Sequence, residues 1–306
     1  MIKKIKLNNV TWLDVLSPTQ DEVDSLAAEY GIHPVAAQEL VQSSGRSKVD
    51  LYDAFIYLIL HFPAENFFLN CQANNRIKEI DFIMGKDFLI TAHYEPIDPL
   101  EELVKIMDIP APAIPSKDNH AGHLFYRVIR QLYQSFEPGL DHLNKRLEKT
   151  KKEIFAGREK QMIEVLSGLN HEILDIKLAL RSHREILSSL EEAAREFYGV
   201  NYTYFIRSIS GEYAKIIASL ENSEDTFTEL RSTNESMLMI KSNETMKLIT
   251  AMAFVFLPVT LIATIFGMNV DTMPLTGRVN GFFGILGLMA LTGIFMYLLV
   301  KLNKWI

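Results

Sequence analysis

The stretch Leu248-Ile249-Thr250-Ala251-Met252-Ala253-Phe254-Val255-Phe256-Leu257-Pro258-Val259-Thr260-Leu261-Ile262-Ala263-Thr264-Ile265-Phe266 holds no charged side chain in 19 residues. At about 1.5 Å of helical rise per residue it is long enough to cross a hydrocarbon core of about 30 Å. A second uncharged run of 20 residues, Gly281 to Val300, follows after a short loop. One such run could be the core helix of a water-soluble protein. Two in succession read as membrane spans, because a helix satisfies its backbone N–H and C=O groups internally where no water is available.

Flanking charge gives the orientation. Lys241 and Lys247 precede the first span, Lys301 and Lys304 follow the second, and the loop between them holds only Arg278 and Asp271. The positive-inside rule then puts both termini in the cytoplasm and the loop outside, as in a multi-pass inner-membrane protein. Tyr297 and Trp305 fit the inner interface. The N-terminus, Met1-Ile2-Lys3-Lys4-Ile5-Lys6-Leu7, has no apolar signal core, so the N-terminal bulk is expected in the cytosol.

Outward from the spans, the 306-residue chain is 48% hydrophobic and 23% charged, with the apolar excess after Thr245. Its 38 acids and 31 bases leave a net charge of −7, which excludes the basic footprint a nucleic-acid partner requires. A single cysteine, Cys71, rules out an intrachain disulfide or a Cys-based zinc site and is expected to be a reduced, buried thiol.

Three zones follow, an α+β architecture overall. Residues 1–120 form a cytosolic α/β domain. Phe55 to Leu60 and Ile80 to Met84 read as strands, Gly85-Lys86-Asp87 as a turn, and Phe88 to His93 as the returning strand of a hairpin. Ser17-Pro18-Thr19-Gln20 supplies a cap and a first-turn proline for a helix beginning before Val23, with helical pattern through Glu39. A proline-rich stretch, Pro110 to Pro115, closes the domain. Residues 121–247 show helical periodicity through Leu143, Leu147, Ile154, Leu166, Leu169 and Ile173, with breaks expected at Gly157, Gly199 and Gly211. They predict helical hairpins feeding one very long stalk helix. From Glu212 to Phe266 there is no glycine, a helix of roughly 80 Å that needs partners along its length. Residues 248–306 form the transmembrane domain, with spans at 248–266 and 281–300.

Two spans joined by a 14-residue loop cannot enclose a pore. A conduit would need symmetric association, with one helix per chain on the axis. The first span continues the stalk, and Ser242, Met246, Ile249, Ala253, Leu257, Thr260 and Thr264 recur along it at steps of 4, 3, 4, 4, 3 and 4. Those steps keep one helix face. It runs from apolar at the cytosolic side to hydroxyl-bearing at the outer side, and its Met, Ile and Leu could gate by dewetting. Ordinary helix–helix packing gives the same stripe, and the two readings stay open here. Gly281, Gly284, Gly287 and Gly293 on the second span permit close helix approach. Neither span has an ionisable residue, which disfavours a proton relay and favours a channel driven by membrane potential. A divalent ion gains roughly 4.6 kcal/mol per 100 mV.

The first span ends in Ile265-Phe266-Gly267-Met268-Asn269, followed by Val270-Asp271-Thr272-Met273-Pro274. This resembles the Gly-Met-Asn signature of the CorA magnesium-channel family, at the same place relative to two C-terminal spans. Lys241-Ser242-Asn243-Glu244-Thr245-Met246-Lys247, Tyr30-Gly31-Ile32-His33-Pro34, Lys48-Val49-Asp50-Leu51-Tyr52-Asp53 and Leu89-Ile90-Thr91-Ala92-His93 are similar to the family too.

The resemblance implies a homopentameric funnel conducting Mg²⁺, and also Co²⁺ or Ni²⁺, with no cofactor beyond a regulatory Mg²⁺. It implies that Gly267, Met268 and Asn269 form the selectivity filter, with five Asn269 amides ringing the outer mouth. Mg²⁺ dehydrates reluctantly, so neutral amide oxygens that accept its water shell suit it. Met268, a soft thioether, is read as a packing anchor, and Gly267 allows the turn that ends the helix.

The sequence departs from the family at two places. The loop reads Met273-Pro274-Leu275-Thr276 without the usual glutamate, which leaves Asp271 as its only carboxylate. The stalk reads Arg207-Ser208-Ile209-Ser210-Gly211-Glu212 where the family carries an Arg-Asp-x-x-Asp sensor, so only Glu212 remains. Asp50 and Asp53 are further candidate cytosolic ligands, or solvated surface carboxylates. Two other readings stand beside the channel: a Zn²⁺ transporter on the same scaffold, and a membrane-anchored oligomer that conducts nothing.

Other motifs carry no chemistry. His171-Glu172-Ile173-Leu174-Asp175 resembles a zinc-protease helix but has Asp175 in the place of the second histidine. The basic run Lys145-Arg146 through Lys151-Lys152 is interleaved with Glu148 and Glu153 and reads as a solvated helix face. With no Walker loop and no dinucleotide fingerprint, the sequence gives no case for an enzyme.

Overall fold

The computed structural model describes residues 2–7, 9–63, 77–107, 120–268 and 281–303. The described residues divide between two compact units, Met1–Arg231 and Ser232–Ile306. In chain order the elements are β1 (Ile2–Leu7), β2 (Val10–Leu16), α1 (Gln20–Tyr30), α2 (Pro34–Glu39), β3 (Lys48–Leu51), β4 (Ile56–Pro63), β5 (Ile77–Met84) and β6 (Phe88–His93). Then come α3 (Asp98–Met107), α4 (Ala121–Gln134), α5 (Glu137–Phe155), α6 (Glu159–Leu180), α7 (His183–Tyr198), a 3₁₀ turn (Val200–Tyr202), α8 (Thr203–Phe266) and α9 (Gly281–Leu302).

The strands form one six-stranded sheet in the order β1-β2-β6-β5-β4-β3. Only the β2–β6 pair is parallel; the other pairs are antiparallel. The expected hairpin is β5–β6, with Met84 opposite Leu89 across the Gly85-Lys86-Asp87 turn. β4, with the sequence Ile-Tyr-Leu-Ile-Leu-His-Phe-Pro, is apolar at successive positions and not at alternate ones. Burial on both faces explains that, since a strand covered on both sides has no solvent face to keep polar.

On one face, Leu13, Val15, Tyr57, Ile59, Ile83 and Ile90 pack with Val23, Leu26, Ala36 and Leu40 of the α1–α2 segment. On the other, Phe82 meets Phe125 of α4 edge to face at 5.3 Å, and Phe62 meets Tyr133 of α4 and His183 of α7. His183 is fully buried. Its Nε2–H donates to the His61 carbonyl at 2.8 Å, and the Tyr133 hydroxyl lies 2.7 Å from Nδ1. Burial holds this imidazole neutral and pulls its pKa down to about 4.

Two local expectations are corrected. The cap of α1 is Thr19, whose Oγ1 accepts from the Glu22 N–H while the Glu22 carboxylate accepts from the Thr19 N–H. Pro18 therefore precedes the cap and is not in the first turn. This reciprocal box satisfies two donors that would otherwise be orphaned at the helix start. Gly157 and Gly199 do break the helical zone, at φ of 87° and 94°. Gly211 does not: it lies inside α8, which begins eight residues earlier at Thr203. A lone glycine costs a helix only about 1 kcal/mol, and the buried Ile206, Ile209, Tyr213 and Ile216 around it outweigh that. The Pro110–Pro115 stretch and Cys71 lie outside the described residues.

Candidate ion-conduction site

α8 is continuous for 64 residues and contains the first apolar run; α9 contains the second. Within the second unit each helix covers a single face. Along the apolar run of α8 the covered positions are Ala251, Val255, Pro258, Val259, Ile262 and Phe266, and on α9 they include Gly281, Ile285, Met289, Met296 and Val300. A Cβ placed on Gly293 would lie 3.6 Å from Val259 Cγ2, an ordinary contact that shows where the helices approach. Gly284 and Gly287 have open space around them within one chain, so the α8–α9 approach falls at Gly293 and not at these two.

The stripe inferred from the sequence lies on the other side of α8. Met246, Ile249 and Leu257 are 62%, 55% and 68% exposed, and Ser242, Ala253, Thr260 and Thr264 are exposed as well. At about 100° per residue the stripe centres about 180° from the face that meets α9. Packing within the chain therefore does not account for it. Thr260 Oγ1 donates to the Phe256 carbonyl, and Thr264 Oγ1 donates to the Leu261 carbonyl, each at 2.9 Å. With the proton turned back to the helix, each hydroxyl oxygen keeps a lone pair for an outside donor such as a cation's water.

Pro258, between Leu257 and Thr260, was passed over in the sequence reading, although a proline inside an apolar run is a visible signal. It supplies no N–H to the ladder, yet the helix runs through it. At the outer end of the span the last turn tightens: the Gly267 N–H donates to Ala263 O at 2.9 Å and the Met268 N–H to Ile265 O at 3.3 Å. Gly267 is not left-handed here. A Cβ on it would come within 3.1 Å of the Ala263 carbonyl oxygen, so what glycine provides is room. Met268 is 60% exposed. Asn269, Asp271, Arg278 and Trp305 lie outside the described residues.

The three candidate regulatory carboxylates are not brought together. Asp50, on edge strand β3, pairs with Lys48 at 2.6 Å, and Lys48 also pairs with Glu39. Asp53 is exposed in the β3–β4 connection. Glu212 is held by Arg130 of α4 at 3.4 Å and by Lys215 at 3.1 Å. Among the described residues no group of three His, Cys, Asp or Glu side chains is placed to hold a metal. His171 is exposed, with Nδ1 2.8 Å from the Ser167 carbonyl.

An α/β unit whose last helix continues into the first of two long apolar helices, both largely uncovered within the chain, defines an integral membrane protein. More narrowly, this chain belongs to the family of CorA-like Mg²⁺ transporter proteins, which it matches over residues 8–302. That is a family of transport proteins. The cobalt/magnesium transport protein CorA of Thermotoga maritima is 22% identical over 300 residues, covering 97% of this chain and 83% of that protein. The protein of the same name from Methanocaldococcus jannaschii is 21% identical over 298 residues, covering 96% and 91%. The complete structure of the CorA magnesium transporter from Methanocaldococcus jannaschii superposes with a TM-score of 0.83 at 20% identity, over 99% of this chain and 94% of that one.

Proposed function

We propose that this chain is a divalent-cation channel, carrying Mg²⁺ and also Co²⁺ or Ni²⁺, with α8 of several identical chains surrounding the conduit. The observation that carries this reading is the placement of the stripe. A graded face of Met246, Ile249, Leu257, Thr260 and Thr264 turns away from α9 and is exposed along its length. Apolar side chains at such exposure in a lone helix call for lipid or copies of the same chain. The hydroxyls at 260 and 264, their protons turned to carbonyls of the same helix, each keep an acceptor lone pair that suits the water of a hydrated ion.

In this reading five chains associate, as the family resemblance implies, with the termini in the cytoplasm. Rings of Met246, Ile249 and Leu257 form a constriction that closes by excluding water. Asn269 amides at the outer mouth accept the ion's water shell, and Asp271 is the one loop carboxylate that draws cations in. The membrane potential drives entry, at roughly 4.6 kcal/mol per 100 mV for a divalent ion.

Because Glu212 is already paired with Arg130 and Lys215, bound Mg²⁺ at that position would have to displace two resident cations. Closure by cytosolic Mg²⁺ is accordingly expected to be weak. The test is ion flux into liposomes across Mg²⁺, Co²⁺, Ni²⁺ and Zn²⁺, with Asn269→Ala beside the wild type. Mg²⁺ flux in the wild type, lost or unselective in the variant, is the expected result. Equal flux in both removes Asn269 from the filter. Zn²⁺ flux without Mg²⁺ reassigns the cargo, and no flux of any ion leaves a membrane-anchored oligomer.

A further inference from the structure

The α1–α2 face of the sheet holds a polar cluster that the transport reading does not use. Asp81, on the inner strand β5, is 1% exposed. Its Oδ2 accepts from the Tyr57 hydroxyl of β4 at 2.9 Å and lies 3.2 Å from the Tyr94 hydroxyl just after β6, while its buried Oδ1 has no hydrogen-bond partner among the described residues. Two residues along the same strand, Glu79 accepts from the N–H groups of Ser44 and Gly45 at 2.8 Å and from Ser43 Oγ at 3.0 Å, and its Oε2 lies 2.9 Å from His61 Nε2. Glu79 therefore stays ionised despite its burial, held down by those donors. Glu39, at the end of α2, is the third carboxylate facing the cluster, and Lys48 of β3 pairs with it and sits 4.9 Å over the Tyr57 ring.

Tyr94 has one proton and three acceptors in reach. Besides Asp81 Oδ2, its hydroxyl lies 3.4 Å from the Leu40 carbonyl and 3.5 Å from the Glu39 carbonyl, both at the C-terminal end of α2. An ionised Asp81 takes that proton, because a hydrogen bond to a charged oxygen is about twice as strong as one to a neutral carbonyl. A protonated Asp81 can donate its own O–H to the Tyr94 oxygen, and the phenol proton then turns to Leu40 or Glu39. The protonation state of one buried carboxyl thus decides whether Tyr94 fastens the end of α2. From there the chain runs through residues 40–47, pinned by Glu79, into edge strand β3.

We propose that Asp81 and Tyr94 form a proton-operated latch that makes the segment 40–47 and edge strand β3 responsive to the pH of the solution bathing this unit. Burial and the neighbouring Glu79 and Glu39 charges push the Asp81 carboxyl up to about 8, against donation from Tyr57 and Tyr94. The latch is closed below that pH, with Asp81 neutral and Tyr94 bonded to α2. Above it, Tyr94 turns to the carboxylate and the α2 end loosens. The latch stands apart from the transport reading and needs no ion to be tested.

The experiment is hydrogen–deuterium exchange of the full chain in detergent at pH 6.5 and pH 9, corrected for intrinsic exchange rates. The β5–β6 hairpin serves as an internal reference, and Asp81→Asn and Tyr94→Phe are measured beside the wild type. The wild type should lose protection at 40–51 at the higher pH relative to the hairpin, by about 10-fold, the effect of roughly 1.4 kcal/mol. Tyr94→Phe should show the loosened state at both pH values, and Asp81→Asn should show no pH dependence. If Asp81→Asn does not fold, infrared difference spectra of the wild type still decide: the buried carboxylic C=O band must disappear between pH 7 and pH 9. Wild-type protection that does not change with pH, pH dependence that survives in Tyr94→Phe, or the absence of a buried carboxylic C=O band at pH 6.5 would overturn the proposal.

Discussion

Leu58, Ile59 and Leu60 on β4 are fully buried, whereas Phe256, Leu257 and Leu291 in the two apolar helices are 65%, 68% and 70% exposed. Both regions are built from the same side chains. In the sheet unit the chain itself covers them, with helices on both faces and polar groups gathered into bonded clusters such as Glu79 with residues 43–45. In the two apolar runs of the helical unit one face of each helix is covered and the rest is left bare. The first region carries its own interior, and the second has to find one outside the chain. The folding problem of this molecule is thus solved in one solvent and completed in another.

The contrast should be sharpest for charge. Leu58→Asp places a carboxylate between its apolar cross-strand neighbours Val49 and Phe82. It is expected to cost about 4 kcal/mol or more and to unfold the unit, read by loss of the blue-shifted fluorescence of the buried Trp12. Leu291→Arg, at a site 70% exposed in the single chain, would be neutral in water. If it faces hydrocarbon it should cost about 2.5–3.5 kcal/mol and lower the yield of membrane-inserted protein.

Truncation comes next in size. Leu58→Ala should cost about 2–5 kcal/mol in urea unfolding, while Leu257→Ala should leave the unfolding midpoint of the sheet unit unchanged. The pH response then separates two buried groups of the sheet unit. Asp81 binds its proton more tightly folded than unfolded, so its contribution declines as pH rises from about 4 towards about 8. His183 binds its proton less tightly folded, so its contribution is complete above about 6.5 and is lost as pH falls through about 4. Asp81→Asn should flatten the first slope and leave the second, in denaturation midpoints across pH. Smallest is Thr19→Ala, expected to cost about 1 kcal/mol by removing one half of the α1 capping box.

The spans, the β5–β6 hairpin and the 3.6-residue stripe were legible because each is a local pattern: an uncharged run, a turn between strand-like runs, a fixed spacing. The tight turn at Gly267 was legible as well, but not its reason, which depends on where the Ala263 carbonyl points. Gly211 was misread because a glycine is a break only where tertiary contacts fail to hold the helix, and here Ile209 and Tyr213 hold it. The sequence placed Glu212 as an open carboxylate, since nothing in the order of residues brings Arg130 beside it from 82 positions away. The latch at Asp81 was invisible for the same reason, because its partners come from three separate segments.

The central claim is that the exposed face of α8 lines the conduit. In a Cys71→Ser background, Leu257→Cys, Thr260→Cys and Ile262→Cys can each be reconstituted in liposomes and assayed for Mg²⁺ flux before and after a charged thiol reagent. Residues 257 and 260 lie on the stripe and 262 on the face that meets α9. The account predicts that the reagent blocks flux at 257 and 260 and leaves 262 conducting. Block at 262 with free passage at 257 and 260 would put the axis on the other side of the helix and contradict it.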